Sequence, residues 1–182
     1  PVLAAIGARE INEDELLIIS LYADDIDSDN SSLIFGVSSD NGSVSTALDG
    51  SVLNITPAAD YNGTANITVS VDDGSGGSDE EVFVFTVLPI NDPPSLAGIG
   101  SVSMDEDTEQ SVDLSYKDED TDAGNITWTI SSVPSDNLVF STSNTTETNT
   151  DLSISSSGNW FGSSVVTVSV TDSDIQSDEV QF

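Results

Sequence analysis

The chain has no cysteine and no histidine, and only Arg9 and Lys117 carry positive charge among its 182 residues. Without cysteine, neither disulfides nor thiolate metal sites can hold the fold together. With histidine missing as well, transition metals lose their favoured ligands, and a serine nucleophile has no evident base. Only a carboxylate pair of glycosidase type stays conceivable as catalytic machinery. Thirty-three acidic side chains make such a pair inevitable somewhere and hence uninformative, so no enzyme is expected. No apolar run approaches the roughly 18 residues of a membrane span, and no basic segment precedes an apolar one, so no membrane insertion is expected. The formal charge of −31 repels nucleic acid and anionic membranes. Such a surface is tolerable in a marine or saline medium, where screening acts over roughly 8 Å or less.

What the chain does contain is a repeat. Asp25, Asp27 and Asp29 (DIDSD) recur as Asp118, Asp120 and Asp122 (DEDTD), 93 positions later, and PVLAAIG at Pro1 recurs as PSLAGIG at Pro94. Two domains of about 90 residues follow, 1–92 and 93–182, each large enough for one modest core. Apolar residues alternate with polar ones wherever they gather, as in Ile67, Val69, Val71 and in Phe83, Phe85, Val87, the period of half-buried strands. Turn dipeptides at Asn41, Asp49, Asn62, Asp73 and Gly76 separate these runs, and nothing of helical length carries a 3.6 period. The fold class read from this is all-β: two tandem seven-stranded Greek-key β-sandwiches of immunoglobulin-like shape. In the first unit strands are expected near 9–11, 16–22, 33–38, 43–48, 52–56, 65–71 and 81–88. The second repeats the set near 102–104, 111–116, 126–131, 138–141, 152–155, 165–170 and 179–182, where its last strand reads as truncated and the chain as a piece of a longer one.

If each strand crosses its sandwich once, successive loops alternate between the two ends. Parity then gathers Glu13, Asp14, Asp60, Asn91 and Asp92 at the trailing end of the first unit, and Asp118, Asp120, Asp122 and Asp172 at the leading end of the second. Both sets face the junction. Carboxylates packed within about 4 Å repel by about 1 to 4 kcal/mol per pair, and a cation reverses the sign. Calcium accepts six to eight hard oxygen ligands, whereas magnesium prefers near-octahedral coordination and keeps its water. Calcium is therefore the expected ion. An EF-hand is excluded, because the sixth and twelfth positions from Asp25 are Asn30 and Gly36, and from Asp118 they are Ala123 and Thr129.

These residues resemble the cadherin repeat, in particular the bacterial cadherin-like modules found in tandem in large secreted adhesins. INEDE at Ile11 looks like the PENE motif, PINDPP at Pro89 like the DxNDN linker, and DxDxD like the DxD motif. VSVDDG and VSVTD match the acidic position that closes strand F. The resemblance implies junction ligands at Glu13, Asn91, Asp92, Asp118, Asp120 and Asp172. Asp60 stands where cadherins carry DRE, with one acid of that motif kept, and Pro89 replaces the first linker acid, which implies fewer than three calcium ions per junction. Asp25, Asp27, Asp29 and Asp73 would meet a preceding domain, so that site is expected empty or incompletely coordinated.

The function this implies is an extracellular or cell-surface bacterial repeat whose calcium-stiffened linker builds a rod. Such a rod spaces an adhesive domain or itself contacts a partner, with other repeats of the chain, another adhesin copy or a polysaccharide as candidates. The alternative is a carbohydrate-binding module using Tyr61, Trp160 and Phe161. Tyr61 and Trp160 both fall in the turn before strand F, where a structural aromatic is the more economical reading, and Trp128 alternates with Ile126 and Ile130 as a core residue.

Overall fold

The computed structural model describes residues 1–120, 125–135, 137–143 and 148–182. It forms two compact units, Pro1–Ile90 and Asn91–Phe182.

In the first unit the strands are β1 (Val2–Leu3), β2 (Arg9–Asn12), β3 (Leu17–Ser20), β4 (Ala23–Asp24), β5 (Ile34–Ser39), β6 (Val44–Asp49), β7 (Val52–Pro57), β8 (Gly63–Asp72) and β9 (Ser78–Leu88), with one 3-10 turn at Asn30–Ser32. Their pairing gives a four-stranded sheet in the order β2-β9-β8-β5 and a three-stranded sheet in the order β3-β7-β6, with β1 paired to β4 beside them. All pairs are antiparallel except β2 with β9. The alternation places Ile67, Val69 and Val71 of β8 and Phe83, Phe85 and Val87 of β9 inward, where they meet Leu53 and Ile55 of β7. Leu53, Ile55, Ile67 and Phe85 are fully buried, and each such side chain contributes about 1.5–3 kcal/mol through removal from water. Asp49 pairs with Val52, so β6 and β7 are joined by a two-residue loop whose first residue, Gly50, takes φ 61°. A side chain is strained at that angle, which is why the turn falls on Asp-Gly.

The second unit contains β10 (Ser95–Leu96), β11 (Glu109–Lys117), β12 (Thr127–Val133), β13 (Leu138–Ser143), β14 (Asn149–Ser156), β15 (Val165–Thr171) and β16 (Ser177–Gln181). They form one sheet in the order β10-β11-β14-β13 and another in the order β12-β15-β16. Leu114, Leu152, Ile154, Val166 and Val168 make its core, and Trp128 packs against them. The Trp128 indole meets the Tyr116 ring edge-on at 5.7 Å, the geometry aromatic pairs favour.

The all-β sandwich expected from the alternation is the fold that forms. Two details differ. The short strands β1 and β10 carry too few residues to show a period. Val102–Met104, expected to be a strand, is irregular, whereas its counterpart in the first unit, β2, pairs in parallel with Phe85–Leu88.

Candidate metal centre

The acids of each unit sit on loops between paired strands, and short hydrogen bonds hold them there. In the first unit, Asp25 Oδ1 accepts the backbone N–H groups of Asp27 and Ser28 at 2.9 and 2.8 Å. Asp73 Oδ1 accepts those of Ser75 and Gly77 at 2.7 and 2.9 Å, which closes the turn between β8 and β9. Carboxylate oxygens of Asp25, Asp27 and Asp73 lie within 4.8 Å of one another. Asp29 is placed elsewhere: it caps the 3-10 turn, accepting from Ser31 N at 2.9 Å.

Electrostatics follow the geometry. The Asp25 side chain is 2% exposed. Hydrogen bonds, those from the Asp27 and Ser28 amides among them, hold its carboxyl far below the ordinary carboxylate range. Asp25 in turn pushes the neighbouring Asp27 carboxyl up. The amides of Ser75 and Gly77 hold Asp73 down.

The second unit repeats the device. Asp118 Oδ1 accepts Asp120 N at 3.0 Å, and Asp172 Oδ1 accepts Asp174 N and Gln176 N at 2.9 and 2.8 Å. Here the first residues of the unit join the cluster. Asn91 Nδ2 donates to Asp172 Oδ2 at 2.8 Å, Gln176 Nε2 donates to the Asn91 carbonyl at 3.2 Å, and Asp92 N donates to Asp120 Oδ2 at 2.8 Å. Asn91, Asp92, Asp118, Asp120 and Asp172 are thus brought together at one end of this unit. Burial pushes the Asp172 carboxyl up, but the bonds from Asn91, Gln176 and Asp174 outweigh it and leave the group below its usual value. Asp122 lies outside the described residues.

At the trailing end of the first unit, Glu13 is 4% exposed. Its Oε1 accepts Ile90 N at 2.5 Å while its own N–H donates to the Leu88 carbonyl at 2.9 Å. Asp60 N donates to Asp14 Oδ1 at 3.3 Å, and both residues adopt positive φ, 55° and 61°. Asp107 and Asn159 copy this pair in the second unit, with φ 59° and 56° and a bond of 3.1 Å.

Other acids have structural work that their charge alone did not reveal. Asp79 accepts Leu3 N, and Asp178 accepts Leu96 N, both at 2.8 Å. Glu81 accepts Ile6 N and Gly7 N at 2.9 and 3.1 Å. These carboxylates fasten the opening segment of each unit to its last strand. The signal was the recurrence of Ser78-Asp79-Glu80 as Ser177-Asp178-Glu179.

The donor set suits calcium: every candidate ligand is a carboxylate or amide oxygen, with no nitrogen or sulfur ligand among the residues named. Tyr61 and Trp160, by contrast, are structural. Tyr61 accepts Asn41 Nδ2 at 2.6 Å and donates to the Thr64 carbonyl at 3.2 Å. Its ring and that of Trp160 cover Gly63 and Gly162, at φ 140° and 152°, where an added Cβ would lie 2.8 and 3.0 Å from them. Phe161 remains exposed.

The shifts set a pH dependence. Asp25, Asp73 and Asp172 bind protons more weakly folded than unfolded, so their stabilisation is complete above the unfolded carboxylate value near 4 and is lost as pH falls through and below it. Asp27 has the opposite sign and offsets part of this over the same range. With no histidine to titrate, the thermal midpoint of the calcium-free protein is expected to stay flat from about pH 7 to 5 and to fall below about pH 4. A midpoint followed by far-ultraviolet circular dichroism, which reports both units, that dropped between pH 7 and 5 would contradict this assignment.

Residues 1–86 match a family model described as the bacterial Ig domain. The fold is similar to extracellular cadherin domains 3–6 of protocadherin gamma B2, at 11% identity and a TM-score of 0.58, over 100% of this chain and 46% of that one. It is also similar to the EC3-6 cis-dimer structure of protocadherin gamma B7, at 13% and 0.52 with the same coverage. The human desmocollin-1 ectodomain is similar at 15% and 0.50, over 96% of this chain and 34% of that one. The chain therefore spans less than half the length of these structures, and at such identities the likeness is one of fold. No curated protein sequence matches. The family match lies within the first unit, and the likeness to the cadherin domains is shared by both units as a likeness of fold.

Proposed function

We propose that this chain is a pair of calcium-binding extracellular repeats from a bacterial cell-surface or secreted adhesin, stiffened at their junction by calcium. The observation that carries this reading is the duplicated loop device. In each unit an aspartate from the DxDxD loop and the aspartate ending strand F spend one oxygen on local amides, and in the second unit Asn91 and Asp92 join them. Turns alone do not call for so many carboxylates in one place.

Ile90 and Asn91 are joined by a single peptide bond, so the acids at the end of one unit and the start of the next are neighbours along the chain. Glu13 and Asp60 from the first unit, with Asn91, Asp92, Asp118, Asp120, Asp122 and Asp172 from the second, would hold the junction calcium. Asp25, Asp27 and Asp73 would serve a preceding repeat, without Asp29, which caps the 3-10 turn. Bound calcium supplies positive charge that relieves carboxylate repulsion. An ion that binds only the ordered arrangement stabilises it by about 2.7 kcal/mol at one hundred times Kd. Ig- and cadherin-like domains are typically structural modules, which agrees with a spacing or adhesive role.

Small-angle scattering of the chain in chelator and in millimolar calcium tests the rod. A narrower distribution of dimensions in calcium is expected. Identical profiles in the two conditions would remove the stiffening role.

A further inference from the structure

Strand β3 lies at the edge of its sheet and pairs there with β7 alone. Leu21 N donates to the Ser51 carbonyl at 2.7 Å. In the register that sets Ile19 opposite Leu53, the odd residues of β3 therefore aim their backbone groups at β7. Ile18 and Ser20 aim theirs outward. The opening segment covers this edge as far as Ala4, whose N–H donates to the Tyr22 carbonyl at 2.9 Å. Beyond it, Ile6 N and Gly7 N turn away to Glu81 of β9, in the opposite sheet. The outward N–H and C=O groups of Ile18 and Ser20 thus meet no strand among the described residues.

The side chains along this edge invite pairing. Residues 16–22 read LLIISLY, with no charge, proline or glycine, the composition that favours strand association. Leu16, Ile18 and Tyr22 are 52%, 59% and 70% exposed. Charge on an edge strand blocks such pairing, and the second unit has it. At the matching positions, 93 residues on, the outward series Leu16, Ile18, Ser20, Tyr22 becomes Glu109, Ser111, Asp113, Ser115 of β11. Two chains of charge −31 repel each other, so a second copy approaches most readily where carboxylates are missing.

We propose that β3 is a self-association edge, at which two copies of this chain pair β3 with β3, antiparallel, about a two-fold axis at Ile18. Ile18 stands opposite its counterpart and Leu16 opposite Ser20, the positions whose backbone groups point outward in both copies. The two three-stranded sheets become one sheet of six. With the axis at Ile18 no carboxylate between positions 12 and 24 faces another, whereas an axis at Ile19 would set Asp14 opposite Asp24. Leu17–Ser20 is a short strand, so the contact belongs to the small, transient class below about 1,200 Å². No proposed calcium ligand takes part. The test therefore runs in chelator, and its outcome is independent of the metal reading.

Sedimentation equilibrium of the 182-residue chain is carried out with salt at about 0.5 M, where the Debye length falls to roughly 4 Å and repulsion between copies is screened. Dimer is expected to build up between about 10 μM and 1 mM. Amide exchange at Ile18 and Ser20 should slow with it, while that at Ile19, already bonded to β7, should not change. Ile18→Lys sets two like charges opposite each other at the axis, and is expected to weaken association at least about tenfold even though it lowers the net charge. Val82→Lys makes the same change of charge on the outer face of β9, at a side chain 55% exposed, and is expected to leave association intact. Both variants should keep the circular dichroism spectrum of the parent, and the exchange readout on the parent needs no variant. A chain still monomeric at about 1 mM, equal association by Ile18→Lys, equal loss in Val82→Lys, or dimer formation without slowed exchange at Ile18 and Ser20 overturns the proposal.

Discussion

Phe85→Ala is expected to lower the stability of the first unit by about 3–5 kcal/mol, a drop of at least about 12 °C in its thermal midpoint. Phe85 is fully buried in β9, between strands β2 and β8, and packs with the core of the sandwich. Its loss removes transfer energy and leaves a cavity that two paired neighbours keep from collapsing. Domains of this size are stable by only about 5–15 kcal/mol, so one substitution takes a large share. Val82→Ala, three residues earlier on the same strand, is the control: that side chain is 55% exposed, and its loss is expected to change stability by no more than about 0.5 kcal/mol. Chemical denaturation of the two variants, with equal costs found, would place the core elsewhere.

Asp172→Asn is expected to weaken calcium binding at the leading end of the second unit by more than the roughly 10- to 100-fold that loss of an outer partner costs a metal site. The substitution separates two roles. Its remaining carbonyl oxygen still accepts from Asp174 and Gln176, so the turn between β15 and β16 keeps its bonds. The charge is gone, and a donor now faces Asn91 Nδ2 where Oδ2 accepted. The calcium-free midpoint should therefore fall only as far as loss of the charge-assisted bond from Asn91 requires, while affinity collapses. Unchanged affinity would show that the carboxylate serves the turn alone.

The fold was legible because its physics is local. Alternation in Ile67–Val71 and Phe83–Val87 specifies which side of a strand faces the core, and turn dipeptides bound the strands. Pairing partners were not legible. The parallel pairing of Arg9–Asn12 with Phe85–Leu88 joins residues 76 positions apart, which no local pattern records. The acids divided similarly. Recurrence picked out Asp25 and Asp118, and their matched hydrogen bonds bear out the likeness between the copies. Recurrence did not separate loop acids from structural ones. Asp29 caps a turn, and Asp79 and Asp178 clamp backbone amides, because a carboxylate's role is set by which N–H groups the fold aims at it. Tyr61 and Trp160 were readable as structural because each precedes a glycine by two residues, and the ring fills the space a Cβ would need.

The central claim is best tested by isothermal titration of the chelator-stripped chain with calcium, with magnesium as the comparison and Asp92→Ala/Asp120→Ala as the variant. The account predicts saturable calcium binding at one or more sites, much weaker magnesium binding, and loss of the junction site in the variant. Absence of binding up to millimolar calcium, or equal binding by the variant, would contradict it and leave the acids as solubilising charge and turn-forming acceptors.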